Sequence, residues 1–301
     1  MEMSQATFSQ RQRFSRRDFL KVATVLGLDT ILLAAAGVSY ISRVEPTWLE
    51  VRQVRLKLPR LLRAFSGLRI VQLSDIHIGP WMSLERVEEI LQTAMAQAPD
   101  VIALTGDFVL AYGRRKLSYQ SELTQFSELL ARLSRQIPVL AVLGNHDHWY
   151  NALEVRTFLE RGGVQVLSNS VYALERGSSR FYIAGIDDAY EHKDNLEAVV
   201  YQLPEQAGAL LLSHVPDFAD LSAPTGRFDL QISGHSHGGQ VVLPFVGPPI
   251  LPQWGQKYFS GLYQVGNMFQ YTNRGVGMTF PAVRFNCRPE ITLFTLESAY
   301  V

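Results

Sequence analysis

A chain of 301 residues, 47% hydrophobic, can bury one large core without being forced to split into two domains. Its 28 basic and 28 acidic side chains cancel, and a pI near 7.1 leaves no general cationic face for nucleic acid. The lone cysteine, Cys287, excludes an intramolecular disulfide and any cysteine-built zinc or iron–sulfur site, and reads as a small, partly buried residue in the last strands.

Residues 11–17 read RQRFSRR and lead through DFLK into an apolar stretch from Val22 to Ile41, the layout of an export signal. Ser15 to Lys21, SRRDFLK, resembles the twin-arginine signal, with Arg16 and Arg17 as the pair and Phe19–Leu20 behind them. That resemblance implies the twin-arginine export machinery as a partner and the periplasm or cell envelope as the destination. Two fates stay open. Ala34 to Gly37, AAAG, offers small residues for cleavage, whereas roughly 20 apolar residues suffice to span a bilayer and associate the protein with the membrane. Asp29 in mid-stretch opposes anchoring by about 3 kcal/mol. Residues 1–42 are read as this leader or anchor and 43–301 as one folded domain.

Alternation in WLEVRQVRLKL predicts an edge strand, after which a strand–helix rhythm begins. LRIVQLS (68–74) is a continuous apolar run of strand length. Leu84, Val87, Leu91 and Ala94 recur at helical spacing until Pro99. DVIALTG (100–106) gives a second buried strand, and Leu123, Phe126, Leu130, Leu133 and Ile137 a second helix, stopped by Pro138. VLAVLG (139–144) is a third strand, followed by a short helix from Ala152 to Glu160. VQVLSNSVYAL and RFYIAGIDD read as antiparallel strands, and ALLLSH (209–214) and FDLQISGH (228–235) as buried ones. QVGNMFQY carries a Gly-Asn hairpin signal. The economical architecture is a single α/β domain with a mixed, two-sheet core.

Polar residues gather where these strands end. SDIH supplies Asp75 and His77, TGD supplies Asp107, and LGNHDH supplies Asn145, His146 and Asp147; LLSH adds His214, and SGHSH adds His235 and His237. The C-terminal ends of strands in an open α/β sheet share the edge where ligands bind. Taken singly, an Asp after a strand is usually a turn former and a lone His a satisfied, part-buried one. Jointly those readings fail, because of seven histidines only His192 lies away from these strand ends. Histidines grouped with carboxylates and an amide, without cysteine, describe a metal site of nitrogen and oxygen ligands.

The ordered set SDIHIG, LTGDFV, VLGNHDHW, LLSHVPD and SGHSHGGQ resembles the calcineurin-like metallophosphoesterase superfamily, in its bacterial twin-arginine-exported branch, over residues 60–298. The resemblance implies an α/β/β/α sandwich of two mixed β-sheets flanked by helices. It also implies a phosphoric ester hydrolase with two divalent metal ions (Mn, Fe, Zn or Co), one held by Asp75, His77, Asp107 and His237. The other would be held by Asp107, Asn145, His214 and His235, with Asp107 bridging. A water shared by the two ions would be activated and aimed at phosphorus, His146 would donate to the leaving oxygen, and Asp147 would orient the His146 ring.

Expected substrates are small phosphomonoesters, phosphodiesters or a lipid-linked pyrophosphate. A DNA- or RNA-processing phosphodiesterase is opposed by zero net charge and the export signal. A non-catalytic metal-binding envelope protein would require a degraded site, yet every ligand position is filled. Asp187 and Asp188 stay outside the metal set, His148 reads equally as pocket lining or solvent-facing, and the Pro- and aromatic-rich 244–255 segment reads as a rim loop or, by composition, as a contact with lipid. On an extended strand, His235 and His237 would lie about 6.6 Å apart on one face, which suits two neighbouring ions.

Overall fold

The computed structural model describes residues 15–112 and 118–299, so residues 11–14 of the basic leader lie outside it. In chain order the elements are α1 (Arg16–Ser39), β1 (Glu50–Leu58), β2 (Leu68–Leu73), α2 (Leu84–Met95), β3 (Val101–Thr105), α3 (Gln120–Ser134), β4 (Val139–Val142), α4 (Asn145–Tyr150), α5 (Ala152–Arg161) and β5 (Gln165–Val166). They continue with β6 (Ser170–Arg176), β7 (Ser179–Gly185), α6 (Leu196–Gln202), β8 (Ala209–Leu212), α7 (Ala219–Ser222), β9 (Leu230–Ser233), β10 (Gly261–Val265), β11 (Met268–Thr272) and β12 (Glu290–Ser298).

Two six-stranded sheets form, in the orders β1-β12-β2-β3-β4-β5 and β10-β11-β9-β8-β7-β6. Both are mixed: β2, β3 and β4 run parallel, β12 is antiparallel to β2, and β7, β8 and β9 are parallel beside the β6–β7 hairpin. The apolar runs are continuous because each central strand is buried on both faces. Along β3, Val101 and Ala103 join the core between the sheets, where they meet Ile183, Leu210 and Ile232; Ile102 and Leu104 face outward against α2 and α3 through Leu91, Phe126 and Leu130. The outer face of the second sheet is covered by Val199 of α6 together with Phe218 and Ala219. The layers are therefore helix, sheet, sheet, helix, as expected. Burying a side chain such as Phe126 contributes about 2–3 kcal/mol.

Two expectations change in detail. The segment read as antiparallel strands from Val164 onward divides: β5 pairs parallel with β4 in the first sheet, and only β6 and β7 form the antiparallel hairpin of the second. The strand expected to carry His235 ends at Ser233, because His235 and His237 take left-handed backbone angles (φ 66° and 53°).

The apolar N-terminal segment forms α1, whose described side chains are exposed. Its helical backbone continues past residue 42 through Tyr40–Val44 and Glu45–Thr47. There the chain docks: Arg284 N–H donates to Ile41 O (2.8 Å), and Cys287 N–H donates to the buried Glu45 Oε1 (2.6 Å). Cys287 was expected partly buried within the last strands; it is fully buried, in the loop just before β12.

Candidate metal centre

The ends of β2, β3 and β4 meet the ends of β8 and β9 at one seam between the sheets. Backbone bonds set the approach: Asp75 N–H donates to Gly106 O, His77 N–H to Asp107 O, and Gly234 N–H to His214 O, each at 3.0 Å. His235 N–H donates across the seam to both oxygens of Asp75 at 3.1 Å. Glycines make this closeness feasible. A Cβ on Gly144 would lie 2.8 Å from His214 Cε1 and still closer to Asp107 Oδ1. Gly144→Ala is accordingly expected to weaken metal binding at least about tenfold and to cost about 1–3 kcal/mol of stability. Metal-titration calorimetry and a thermal melt check both effects, and wild-type affinity in the variant would contradict the packing described.

All seven sequence-predicted ligands arrive together, and all are buried. Five of them, Asp75, His77, Asp107, His235 and His237, have φ between 51° and 66°. Left-handed backbone costs a non-glycine residue about 1 kcal/mol or more and persists where the surroundings enforce it, often at functional sites.

Donor atoms converge in two groups, between which His77, Asp107 and His146 also come within ligand reach of one another. In the first, His237 Nε2 lies 3.0 Å from His77 Nε2 and 3.3 Å from Asp75 Oδ1. In the second, His214 Nε2 is 3.2 Å from Asn145 Oδ1, and His235 joins His214 and Asp107 within ligand reach. Asp107 Oδ2 stands between the groups, 3.5 Å from His77 Nε2 and 3.3 Å from His214 Nε2. Ligands bonded at roughly 2.1 Å to one ion lie about 3.0–3.4 Å from each other, so these spacings fit the edges of a metal coordination shell. Hydrogen bonds from the far ring nitrogens turn the near ones inward: His214 Nδ1–H donates to Thr105 O (2.7 Å) and His235 Nε2–H to Gln253 O (2.8 Å). His77 Nδ1 and His237 Nδ1 are buried with no partner among the described residues.

The electrostatics favour a cation. Burial opposes charge on Asp75, yet His237 outweighs it and holds the carboxyl well below its usual range; for Asp107, burial is overcome by His214 and His146. Burial also opposes charge on His214, but the Asp107 carboxylate pushes it up to about 10. His77 is lowered by burial and by His146, and His235 falls to about 4 through burial and His214. Asp75 and Asp107 are thus two buried carboxylates kept ionised, negative charge that a bound cation offsets.

His146 stands beside the ligands, with its ring 4.6 Å from that of His77. Its Nδ1 accepts from Ala111 N–H (3.2 Å), and burial lowers its pKa. Asp147 does not orient that ring, contrary to expectation. Neighbouring residues on a helix point about 100° apart, so Asp147 turns away from His146 within α4. Its carboxylate instead accepts backbone N–H from Gly144, Asp107, Phe108 and Val109 at 2.8–3.3 Å, clamping the loop that carries Asp107. Burial, then Asp107, pushes Asp147 up to about 7 against the pull of those N–H groups.

His148 pairs with Asp187 Oδ1 at 3.0 Å, half-buried, and burial pushes Asp188 up to about 6; neither acid joins a ligand group. A cavity of about 550 Å³ opens over His146, His235 and His237, with Tyr112, Trp149 and Tyr190 on its walls. Ile250 and Pro252 of the Pro-rich segment line its rim, as expected of that segment. The aromatic walls were missed in the sequence: single, scattered aromatics carry no pattern, although Trp149 directly follows NHDH.

This fold and its buried cluster define a metallophosphoesterase, a phosphoric ester hydrolase; residues 68–239 match the calcineurin-like phosphoesterase family, and the chain belongs to it. It is 35% identical over 289 residues to the metallophosphoesterase YkuE of Bacillus subtilis (strain 168), covering 95% of this chain and 99% of that one. It is 30% identical over 286 residues to the phosphodiesterase YaeI of Escherichia coli (strain K12), covering 94% and 99%. A Danio rerio transmembrane protein with a metallophosphoesterase domain is 29% identical over 295 residues, 92% of this chain and 63% of that protein.

Proposed function

We propose that the chain is a dinuclear phosphoesterase acting on phosphodiesters, with phosphomonoesters and lipid-linked pyrophosphates as further substrates of the same chemistry. The observation that carries this reading is the place of Asp107 Oδ2, within 3.5 Å of ring nitrogens from both ligand groups. A carboxylate there has the charge and the lone pairs to bridge two cations. Asp75, His77 and His237 complete one site, and Asn145, His214 and His235 the other. Two divalent ions would lower the pKa of a shared water and neutralise charge on the phosphoryl oxygens. The donor set of imidazoles, carboxylates and one amide suits Mn, Fe, Zn or Co.

His146 supplies a hydrogen bond to the leaving oxygen. With Nδ1 accepting from Ala111, the neutral ring carries its proton on Nε2. Asp147 acts indirectly, by holding the Asp107 loop. Residues 1–42 serve as a twin-arginine leader that also contains a helix able to anchor, and 43–301 as the hydrolase domain in the cell envelope. The phosphodiesterase name of YaeI and the whole-length similarity to it support placing diesters first.

Purified, metal-analysed protein with added Mn²⁺ is expected to hydrolyse bis-p-nitrophenyl phosphate; if this and p-nitrophenyl phosphate both stay intact, the enzyme reading fails. The ligand split has its own test. His235→Ala and His237→Ala are each expected to lower metal content by about one ion, from different sites. Anomalous scattering from Mn²⁺-soaked crystals would show which ion is gone, and loss of the same ion in both variants would refute the split.

A further inference from the structure

The segment that could cross a membrane ends beside the mouth of the metal cavity. Phe19–Thr47 is long and apolar enough to span a bilayer, and α1 alone, at 24 residues, covers about 36 Å. Its C-terminal end is fixed to the 284–287 segment by the Ile41 and Glu45 hydrogen bonds. Cys287 Sγ in turn lies 3.2 Å from the carbonyl of His237, so a single layer of side chains separates the docked helix end from a predicted metal ligand.

The same segment continues into an exposed apolar edge. Phe285 N–H donates to Gln240 O, and Val242 N–H donates to Phe285 O, each at 2.9 Å. The chain then turns at Leu243–Gly247, closed by Gly247 N–H to Leu243 O (2.9 Å). Phe245 at the tip is fully exposed and held at φ 63°, and Val246 beside it is 75% exposed. Tyr40 of the helix end, Pro244 of this turn and Phe285 line one small surface pocket, which places the turn against the helix exit. Ile250 (77% exposed) and Phe280 (76%) stand at the cavity mouth.

The residues flanking the helix suit a membrane boundary at each end. Tyr40, Arg43 and Trp48 lie at its C-terminal end, with the Arg288 guanidinium 4.7 Å over the Trp48 ring. Arg16, Arg17 and Lys21 lie at the other end. Interfacial aromatics mark the boundary, and a basic N-terminal flank favours keeping that end in the cytoplasm. An exposed apolar patch beside a spanning helix has the bilayer itself as its continuous neighbour.

We propose that α1 stays with the protein as an anchor and that the Phe245–Val246 turn dips into the bilayer that α1 spans. The cavity mouth then opens at the lipid surface. On the hydrolase reading above, the preferred substrate is an amphiphilic phosphoester of that bilayer. Its phosphate reaches His146 and the ligand cluster while its apolar part rests near Ile250 and Phe280.

The test uses the full chain in phosphatidylethanolamine–phosphatidylglycerol vesicles. Phe245→Cys and, as a control, Tyr201→Cys (90% exposed on α6) are labelled with an environment-sensitive fluorophore; native Cys287 is buried. Lipids carrying a spin label in the acyl chain are expected to quench position 245 at least about twofold more than position 201. Equal quenching at both positions overturns the docking. So does a spectral shift at 245 that follows protein concentration instead of lipid, which would assign the face to a second copy.

A second arm reads the substrate class. Vesicle-borne hexadecyl p-nitrophenyl phosphate is expected to show a kcat/KM at least about tenfold above soluble bis-p-nitrophenyl phosphate. The Phe245→Asp/Val246→Asp variant should lose that preference while hydrolysing the soluble diester as the wild type does. No preference in the wild type overturns the substrate class. Hydrolysis of the soluble diester without quenching removes the docking alone, and quenching without any hydrolysis removes the hydrolase reading alone.

Discussion

Asp107→Asn is expected to lower kcat/KM by at least about 10³-fold and to leave the protein unable to hold two cations together. The substitution is chosen for what it keeps. Asn retains Oδ1, which accepts from His146 N–H at 2.9 Å, so the start of α4 stays hydrogen-bonded. What changes is Oδ2, the atom shared between His77 and His214. An amide nitrogen there points N–H groups at two imidazole nitrogens and has no lone pair for a metal. His214 also loses the carboxylate that pushes its pKa up to about 10. Metal analysis beside diester kinetics reads both effects; two tightly held ions in the variant would contradict a bridging Asp107.

The second large effect belongs to His146. His146→Gln is expected to reduce kcat by about 10²–10⁴-fold, the usual contribution of a positioned donor at the leaving group, while metal content stays at the wild-type level. The glutamine carbonyl can still accept from Ala111 N–H, which keeps the loop satisfied. The loss should be larger for an alkyl phosphodiester than for a p-nitrophenyl ester, whose leaving group carries its negative charge with little help. His146 also falls within ligand reach of His77 and Asp107. Loss of an ion in His146→Gln would therefore reassign it as a ligand, and an equal loss for both leaving groups would remove it as the donor.

The strand-end residues were legible because each sat after a run of apolar side chains that could only be a buried strand. Two sheets packed face to face then bring separate strand ends to one seam, so Asp75, Asp107, His214 and His237 meet although far apart in sequence. The details of approach were not legible. His235 and His237 were expected on an extended strand, but left-handed backbone at both positions turns the chain into a loop that sends their rings to different ligand groups. A non-glycine residue does not announce a positive φ; the surrounding hydrogen bonds impose it.

Asp147 shows the limit of reading motifs by adjacency. Next to His146 in sequence, it points about 100° away on α4 and clamps four backbone N–H groups instead. Glu45 gave no signal at all. A glutamate just beyond an apolar segment reads as a solvated boundary, yet it is 1% exposed and tied to Cys287, behind the His237 loop.

The most direct measurement is stepwise Mn²⁺ titration of chelator-stripped protein, with metal occupancy and bis-p-nitrophenyl phosphate turnover followed in one sample. A bridged pair of sites predicts two bound ions per chain and turnover that rises with the second equivalent. Full turnover at one equivalent, or two bound ions with no turnover, would contradict it.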